Sequence, residues 1–476
     1  MANDQIFVIV GASLAGAKAA ETLRADGFGG RLVLIGAEPE RPYERPPLSK
    51  GYLLGAEDKT KSYVHEQGWY AEHGVELKLG SPVTRIDRAG HHVELDSGER
   101  IGYTKLLLAT GASPRRLDLP GGNLDGVRYL RRFSDSERLR DALSGGGSRV
   151  VVVGAGWIGL ETAAAARHYG CEVTIVEPQT APLAAALGPE VGGYFADLHR
   201  KHGVDLQLNR GVSGFRGDRR VSAVVTDDGS HIPADLVIVG VGARPNTELA
   251  EQAGLAVDNG ILVDQTLRTD DADIYAAGDV ANALHPFYGR RVRVEHWANA
   301  LYGAPAAARS MLGHEVSYDR LPYFFTDQYD VGMEFTGWFP PGGYDTVVTR
   351  GDLDAHAFHA FWLTGDTVVA GMHVNLWDDG ITPIEDLVCD RAPVDRERLA
   401  DPSIPLKRVS LARDVLGRAG GSCVFYVVST GLCTLPEALC SRRSGPQWDR
   451  VVATITSKNA ANAGFGVYDA YCPESL

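Results

Sequence analysis

The hydrophobic pattern opens with two short apolar runs on either side of an alanine-rich segment. Ile6–Val10 and Arg31–Ile35 are mostly aliphatic and β-branched, as expected for strands that are buried on both faces. Between them, Gly11–Gly16 predicts a tight turn, and the alanines that follow predict a helix to about Arg24. Glu38 comes just after the second run. The chain therefore begins with a predicted strand–helix–strand unit.

The same pattern returns in the middle of the chain. Val150–Val153 predicts a buried strand, Gly154–Gly159 a second glycine turn, and Leu160–Tyr169 a helix. Glu172–Val176 predicts the next strand, which Glu177 closes. The sequence therefore contains two predicted units of the same kind.

The glycine spacing in the second unit indicates a dinucleotide-binding turn. Gly154, Gly156 and Gly159 match G-x-G-x-x-G, in which glycines let the backbone approach a pyrophosphate at a helix N-terminus. Glu177 stands where an acidic residue is expected to bind ribose hydroxyls. A carboxylate there repels a 2′-phosphate, and no arginine follows it in residues 178–180. This pattern favours NADH over NADPH.

The first unit carries a weaker version of this turn. Gly11 and Gly16 keep the outer glycines, Ser13 replaces the middle one, and Glu38 takes the acidic position. One isolated turn of this type can simply join a strand to a helix. Two copies, each with its strand, helix and acidic residue, predict two dinucleotide-binding domains.

The pattern changes towards the C-terminus. Apolar runs over residues 106–111, 235–242 and 273–279 predict further buried strands, whereas alternating aromatic residues from Leu321 predict a mainly antiparallel sheet to about Leu406. Residues 407–476 are weakly patterned and hold four of the cysteines. Three interpretations stay open for them: a small module, a disordered extension, or sequence without selected structure. The weak periodicity favours the last two.

Composition excludes several classes of protein. The 476 residues are long enough for about three domains, and the net charge of −14 is unlike the basic face of a nucleic-acid-binding protein. Residues 1–10 lack the features of a signal peptide, and their apolar run is too short to span a membrane, so a cytoplasmic protein is expected. The six cysteines form no C-x-x-C pair, so neither a metal site nor a disulfide framework is expected.

Several longer motifs carry a resemblance to a known family. LLLATGASP over 106–114 and IYAAGDV over 274–280 resemble flavoproteins with two dinucleotide-binding domains, similar in fold to glutathione reductase. Within that superfamily, the chain resembles the NADH-dependent ferredoxin reductases of the putidaredoxin reductase and biphenyl dioxygenase type. The motifs that carry this closer resemblance are RPYERPPLSK (41–50), WIGLE (157–161), EHWANA (295–300), PYFFTDQY (322–329) and NLW (375–377).

The resemblance implies an α/β fold class. Two Rossmann-like domains would be followed by a C-terminal α+β domain with an antiparallel sheet. Residues 1–114 and 244–320 would form a discontinuous FAD-binding domain, residues 115–243 an NADH-binding domain and residues 321–406 a C-terminal interface domain. Residues 407–476 would be an atypical extension, because related chains are expected to end near residue 406.

The resemblance also implies which residues bind each cofactor. Alternatives stay open for three of them: Arg131 as a solvated charge, Trp297 as core packing, and Val83 acting through its backbone. For FAD the implied positions are Gly11, Ser13, Ala15, Gly16, Glu38, Lys50, Val83, Arg131, Asp279 and Trp297. For NADH they are Gly154, Gly156, Ile158, Gly159, Glu161, Glu177, Gly240 and Gly242.

The implied chemistry centres on Lys50 and Glu161. The resemblance places them at the flavin–nicotinamide junction, where Lys50 would stabilise charge on the reduced flavin and Glu161 would orient the nicotinamide amide. A purely structural ion pair is the alternative. Phe325 is a candidate for stacking near the flavin or for core packing. Relatives that reduce disulfides or peroxides carry a redox-active cysteine after the first unit, but residues 40–54 hold none.

Without a thiol relay, electrons must leave the flavin directly, and an iron–sulfur ferredoxin is the natural one-electron acceptor. The predicted function is therefore an FAD-dependent NADH:ferredoxin oxidoreductase that serves a monooxygenase or a ring-hydroxylating dioxygenase. The alternative is an NADH-sensing flavoprotein that resembles apoptosis-inducing factor and turns over slowly. An acidic ferredoxin would require a locally basic docking face, for which the candidates are Arg115, Arg116, Arg290, Arg291 and Arg293.

Overall fold

The structure is a computed structural model, and it describes residues 4–411. The predictions for the C-terminal extension therefore lie, from residue 412 onwards, outside the described residues. The first 114 residues alternate between strands that build a parallel sheet and strands that form a small antiparallel sheet. Their elements are β1 (Ile6–Val10), α1 (Leu14–Ala25), β2 (Arg31–Ile35), α2 (Trp69–Glu72), β3 (Val75–Lys78), β4 (Val83–Asp87), β5 (His92–Leu95), β6 (Arg100–Gly102), β7 (Lys105–Leu108) and β8 (Ala112–Pro114).

The next segment builds a second parallel sheet with the order β12-β11-β10-β16-β9. An antiparallel sheet, β13-β14-β15, is inserted before its strand β16. The elements are β9 (Val127–Arg128), α3 (Phe133–Leu143), β10 (Arg149–Val153), α4 (Trp157–His168), β11 (Glu172–Glu177), α5 (Ala184–Lys201), β12 (Asp205–Leu208), β13 (Val212–Gly217), β14 (Val221–Thr226), β15 (His231–Pro233), β16 (Leu236–Val239) and β17 (Ala243–Pro245).

The chain then returns to the first sheet. Strand β17 pairs antiparallel with β8. The segment that leaves the first sheet and the segment that returns to it therefore lie side by side. The following elements are α6 (Glu248–Gln252), β18 (Ile261–Val263), β19 (Ile274–Ala276), β20 (Ala281–His285), β21 (Arg290–Arg293) and α7 (Trp297–Met311). Strand β19 completes the first sheet, whose order is β19-β7-β1-β2-β3. This sheet is therefore built from two separated stretches of sequence.

The last described region forms a five-stranded antiparallel sheet with the order β22-β23-β26-β25-β24. Its elements are β22 (Tyr323–Gln328), β23 (Val331–Gly337), β24 (Thr346–Asp352), β25 (Ala357–Thr364), β26 (Thr367–Val374), α8 (Thr382–Asp390) and α9 (Arg396–Ala400). Packing continues past residue 406, since Val409 is fully buried and Ser410 pairs with Val394. The predicted fold class is confirmed: two parallel sheets with helices precede an antiparallel sheet.

The structure corrects the predicted start of both nucleotide-turn helices. Helix α4 begins at Trp157 and not at Leu160, because Gly156 is its extended N-cap residue and Gly159 lies within its first turn. Helix α1 likewise begins at Leu14, so that Gly16 is helical. In both units the last glycine of the motif is therefore part of the helix.

Two large cores hold these layers together. One lies between the first sheet and helices α1 and α7, and the other joins the second sheet, α4 and α5 to the antiparallel sheet. In the second core, Phe195 of α5 and Trp362 of β25 are both fully buried. The indole Nε1 of Trp362 donates to the carbonyl of Leu187 at 2.8 Å, which ties α5 to the antiparallel sheet.

Candidate functional site

The first glycine turn places the N-terminus of α1 at the carboxyl end of β1. Gly11 has a φ of +120°, and a Cβ there would lie 2.0 Å from the carbonyl oxygen of Ala109. A Cβ at Gly16 would lie 2.0 Å from the carbonyl oxygen of Gly11. Both positions therefore require glycine. Ser13 is the N-cap residue, and its hydroxyl donates to the carbonyl of Tyr43 at 3.4 Å and not to the helix.

A partly buried ion pair lies close to this helix N-terminus. Arg131 donates to the Asp279 carboxylate at 2.8 Å, and Gly278 brings the chain so close to α1 that a Cβ would be 3.2 Å from the side chain of Ala15. Burial lowers the pKa of the Arg131 guanidinium. Its Nε atom is buried without a partner, so a donor remains free for an anion. This arrangement fits a dinucleotide pyrophosphate at the helix N-terminus.

Glu38 is held as an ionised acceptor at the end of β2. Its carboxylate receives the Tyr43 hydroxyl at 2.6 Å and the Arg45 guanidinium at 3.0 Å. Burial alone would raise the pKa of Glu38, but Arg45 and Tyr43 outweigh that effect and keep it below its usual range. Two donors leave lone pairs free on the two oxygens, as a ribose hydroxyl requires. Arg45 had no predicted role, although it lies within the quoted motif over residues 41–50.

Two further predicted flavin contacts lie on different elements. Trp297 is the first residue of α7 and donates its indole Nε1 to the Glu44 carboxylate at 3.1 Å. Its ring meets Phe325 edge-on, with 5.9 Å between the centroids. Val83 begins β4 and is partly buried against the first core. Trp297 therefore lies near other predicted site residues, whereas Val83 belongs to the small antiparallel sheet.

The second glycine turn repeats the geometry of the first. Gly154 has a φ of +95°, and a Cβ there would lie 2.6 Å from the carbonyl oxygen of Gly240. A Cβ at Gly159 would lie 2.1 Å from the carbonyl oxygen of Gly154. Around Gly156, by contrast, the nearest atom is that same Gly240 oxygen at 3.8 Å. The first and last glycines are thus required by packing, whereas the middle one leaves open space next to the helix end. Ile158, in the first turn of α4, is 40% exposed.

Glu177 braces this turn from the end of β11. Its carboxylate receives the backbone N–H of Ala155 at 2.6 Å and that of Gln179 at 2.9 Å, and the residue is buried. Gly242, with a φ of +92°, follows β16 and accepts the N–H of Arg115 at 2.9 Å. The neighbouring strands β10, β11 and β16 therefore bring the predicted NADH residues to one edge of the sheet.

Lys50, which follows β2, forms an ion pair with the buried Glu161 of α4. The distance from Lys50 Nζ to Glu161 Oε1 is 2.6 Å, and only 3% of the Glu161 side chain is exposed. Two hydroxyls also donate to the carboxylate, that of Ser49 to Oε2 and that of Thr326 to Oε1 at 2.6 Å. Burying a charge pair is costly unless its remaining lone pairs are satisfied, which the hydroxyls achieve. Ser49 and Thr326 had no predicted role, although both lie within quoted motifs.

A cavity of about 690 Å³ opens beside this pair, which is large enough for a ring system. Phe325 lines it, and its ring centroid lies 5.4 Å from Lys50 Nζ. Asp327 lines it too, and burial raises the pKa of its carboxyl despite the nearby Lys50. Of the cysteines in residues 4–411, Cys171 is fully buried in front of β11 and Cys389 lies on α8; neither lines the cavity.

The predicted docking arginines on β21 have different partners. The guanidinium of Arg290 lies 5.2 Å from the ring centroid of Trp338, and that of Arg291 donates to the carbonyls of Val263 and Asn282 at 2.8 and 2.9 Å. Arg293 is paired with Glu295. Of the three, Arg290 is therefore the one whose charge is not committed to a backbone carbonyl or a carboxylate.

The other two predicted docking arginines follow β8. The Nε atom of Arg115 donates to the carbonyl of Ala243 at 3.0 Å, and the guanidinium of Arg116 lies 4.9 Å from the ring centroid of Tyr129. Among residues 4–411 no helix is both long and apolar enough to cross a membrane. Over the same residues, no three histidine, cysteine or acidic side chains are grouped so that they could hold a metal ion.

Comparison with known proteins follows the same division of the chain. Residues 6–304 match the family described as pyridine nucleotide-disulphide oxidoreductase, and residues 323–410 match the one described as reductase C-terminal. The chain belongs to the pyridine nucleotide-disulphide oxidoreductase family. The reductase C-terminal match coincides with the antiparallel sheet and helices α8 and α9.

Individual relatives narrow the resemblance. Rhodocoxin reductase of Rhodococcus erythropolis is 40% identical over 86% of this chain and 94% of its own length. The ferredoxin--NAD(+) reductase component of the anthranilate 1,2-dioxygenase system of Burkholderia cepacia is 42% identical over 84% of this chain and 98% of its own. A crystal structure of the covalent putidaredoxin reductase–putidaredoxin complex matches with a TM-score of 0.82 and 38% identity, over 86% of this chain and 98% of that one. The predicted resemblance to this group of reductases is confirmed.

Proposed function

We propose that this chain is an FAD-dependent NADH:ferredoxin oxidoreductase that passes single electrons to an iron–sulfur ferredoxin serving a monooxygenase or a ring-hydroxylating dioxygenase. The observation that carries the proposal is the Lys50–Glu161 pair beside a cavity that no cysteine of residues 4–411 lines. The predicted enzyme class, a ferredoxin--NAD(+) reductase, is the class named for the Burkholderia cepacia relative.

In this proposal FAD lies along the first unit, within residues 1–114 and 244–320. Its pyrophosphate lies at the N-terminus of α1, where Gly11 and Gly16 allow close approach and Arg131 offers its free Nε donor. Glu38 accepts a hydrogen bond from the adenosine ribose, and Asp279 accepts one from the ribityl chain. Bound FAD supplies the ability to take up a hydride and to give up electrons singly.

NADH lies along the second unit, within residues 115–243. The open space around Gly156 admits the pyrophosphate to the N-terminus of α4. Glu177 favours NADH, because a 2′-phosphate would meet its buried negative charge. Glu161 and Lys50 both line the cavity. Glu161 orients the nicotinamide amide there, and Lys50 supplies positive charge where negative charge develops during hydride transfer.

The exit of electrons follows from the lining of the cavity. The Sγ atom of Cys171 donates to the carbonyl of Leu143 at 3.8 Å, and burial raises the pKa of this thiol. Such a cysteine is an inert core residue. The proposed route therefore needs no thiol, and Phe325 of the interface region 321–406 lines the cavity beside the Lys50–Glu161 pair. We propose the cytoplasm as its location, where NADH is available to it.

Anaerobic mixing of the FAD-loaded protein with NADH or NADPH, followed by a [2Fe–2S] ferredoxin, tests the proposal. We expect rapid bleaching of the flavin by NADH, slower bleaching by NADPH, and then reduction of the ferredoxin. A protein that binds FAD but reduces no ferredoxin, and instead forms a long-lived charge-transfer complex with a change of oligomeric state, would contradict the proposal and support the NADH-sensing alternative.

A further inference from the structure

A row of polar side chains, three of them buried and the last partly exposed, leads away from the Glu161 carboxylate into the interface between α5 and the antiparallel sheet. Thr326 Oγ1 lies 2.6 Å from Glu161 Oε1, and Gln328 Nε2 lies 3.2 Å from Thr326 Oγ1. Gln328 Oε1 lies 2.9 Å from His199 Nε2, and the Tyr329 hydroxyl lies 3.2 Å from His199 Nδ1. We call Thr326, Gln328, His199 and Tyr329 the Gln328 chain.

The Glu161 carboxylate determines which group donates in each hydrogen bond of the Gln328 chain. An ionised carboxylate can only accept, so the Thr326 hydroxyl must donate to Glu161. That hydroxyl has one hydrogen, so its oxygen accepts from Gln328, and the amide NH₂ must face Thr326. The amide oxygen then faces His199 and must receive the hydrogen on Nε2.

The far end of the chain is consistent with this direction. His199 is fully buried, and burial lowers its pKa to about 4, so near neutral pH it carries one ring hydrogen. With that hydrogen on Nε2, its Nδ1 accepts from the Tyr329 hydroxyl. Burial raises the pKa of Tyr329, which keeps that hydroxyl protonated, and His202 stacks on its ring with 3.6 Å between the centroids. Every member thus donates towards Glu161.

The Gln328 chain does more than fill space in the core. Thr326 and Gln328 are each 1% exposed, and the amide of Gln328 is satisfied on both sides. A buried amide contributes specificity only when all its partners are present. Without Gln328, the Thr326 hydroxyl could rotate and donate elsewhere, and Glu161 Oε1 would be left with Lys50 alone.

We propose that Gln328 is a positioning residue that acts through Thr326 to hold the Glu161 carboxylate against Lys50. The inference rests on the proposed function, since it assigns this pair to the junction of flavin and nicotinamide. It also gives a role to the attachment of the antiparallel sheet to α5 at this point: strand β22 carries both Thr326 and Gln328 to the pair, and α5 carries His199, which donates to the amide oxygen of Gln328.

A double-mutant cycle tests the chain in the FAD-loaded protein. Gln328→Met and Thr326→Val should each slow the limiting rate of flavin reduction by NADH about tenfold, with the NADH dissociation constant unchanged. The double variant should be no slower than Thr326→Val alone, because Gln328 acts only through that hydroxyl. Thr326→Ser, which keeps the hydroxyl, should recover most of the lost rate.

Thr336→Val is the matched control, because Thr336 is a fully buried threonine of the neighbouring strand whose hydroxyl has no partner. It should reduce flavin as the wild type does. The inference would be overturned if the rate losses of Gln328→Met and Thr326→Val multiplied in the double variant. It would also be overturned if the substitutions changed only the NADH dissociation constant and left the rate of flavin reduction unaltered. Flavin content and melting temperature measured alongside identify a variant that fails to fold.

A second readout does not depend on turnover and observes the wild type directly, with a variant used only to assign the signal. Histidine ¹⁵N NMR of the FAD-loaded wild type at pH 6, assigned with His199→Gln, should show His199 neutral with its hydrogen on Nε2. A hydrogen on Nδ1, or a doubly protonated ring, would overturn the inference. A wild type whose flavin is not reduced by NADH would instead contradict the proposed function, while the NMR result would still test the direction of the chain.

Discussion

Replacing Gly159 by alanine should reduce stability, whereas replacing Gly156 by alanine should weaken NADH binding. A Cβ at Gly159 would lie 2.1 Å from the carbonyl oxygen of Gly154, where ordinary contact begins at 3.4 Å. The obstacle is backbone and cannot rotate away, so α4 must move from β10 by about 1 Å. A Cβ at Gly156 meets nothing closer than 3.8 Å. Gly156 also has a φ of −79°, which alanine adopts freely.

The two costs can be estimated separately. Overpacking at Gly159→Ala should cost about 2–3 kcal/mol, the upper part of the usual range, because the obstacle is backbone, and the better helix propensity of alanine returns about 1 kcal/mol. A net loss of about 1–2 kcal/mol lowers the melting temperature by roughly 2–8 °C. Gly156→Ala should change stability by less than about 1 kcal/mol. Its methyl group fills the space assigned to the pyrophosphate, so the NADH dissociation constant should rise at least about tenfold.

The assay combines thermal unfolding of the FAD-loaded protein with anaerobic titration by NADH. Gly193→Ala is a control for the general effect of the substitution, because its Cβ meets nothing within 4 Å and lies on another helix. Normal NADH binding by Gly156→Ala would show that the pyrophosphate lies elsewhere. An unchanged melting temperature for Gly159→Ala would refute the packing argument for the last glycine of the motif.

Three further predictions use other parts of the molecule. Arg131→Met should weaken FAD binding about tenfold or more by leaving Asp279 unpaired, whereas Arg138→Met, at an exposed position of α3, should not; FAD release during dialysis measures both. Burial lowers the pKa of His359 from 6.5 to about 4, so the stability that its neutral form contributes above pH 6.5 is lost as the pH falls towards 4. Over this range the free energy of unfolding of His359→Phe should fall less steeply than that of the wild type, by up to about 1.4 kcal/mol per pH unit, as measured by urea unfolding. Ferredoxin reduction should slow as ionic strength rises, and a flat salt dependence would contradict an electrostatic docking face.

The nucleotide-binding units were predictable because their signal is local. The strands over Ile6–Val10 and Arg31–Ile35 have the predicted bounds, since continuous apolar runs next to glycine turns leave little choice. The predicted helix starts are too late, because the glycine motif alone does not show where the turn ends and the helix begins. The N-cap geometry at Gly156, extended with a ψ of −177°, shows that the helix begins within the motif, and spacing alone does not reveal this.

The remaining features depend on contacts between distant parts of the chain. The alternating aromatics predicted an antiparallel sheet, but its strand order arises from pairings that no local pattern encodes. Thr326 meets Glu161 across 165 positions, and Ser49 meets it across 112. In the sequence, Ser49 and Thr326 are only hydroxyl residues within the quoted motifs. Their role becomes visible once the fold brings them to the buried Glu161 carboxylate.

The central claim is that electrons pass from the nicotinamide to the flavin and then directly to an iron–sulfur partner. Its most direct test is stopped-flow reduction of a [2Fe–2S] ferredoxin by NADH, using the FAD-loaded protein before and after its accessible thiols are alkylated. We expect the same rates of flavin bleaching and ferredoxin reduction in both samples. Loss of ferredoxin reduction on alkylation, with flavin bleaching intact, would contradict it.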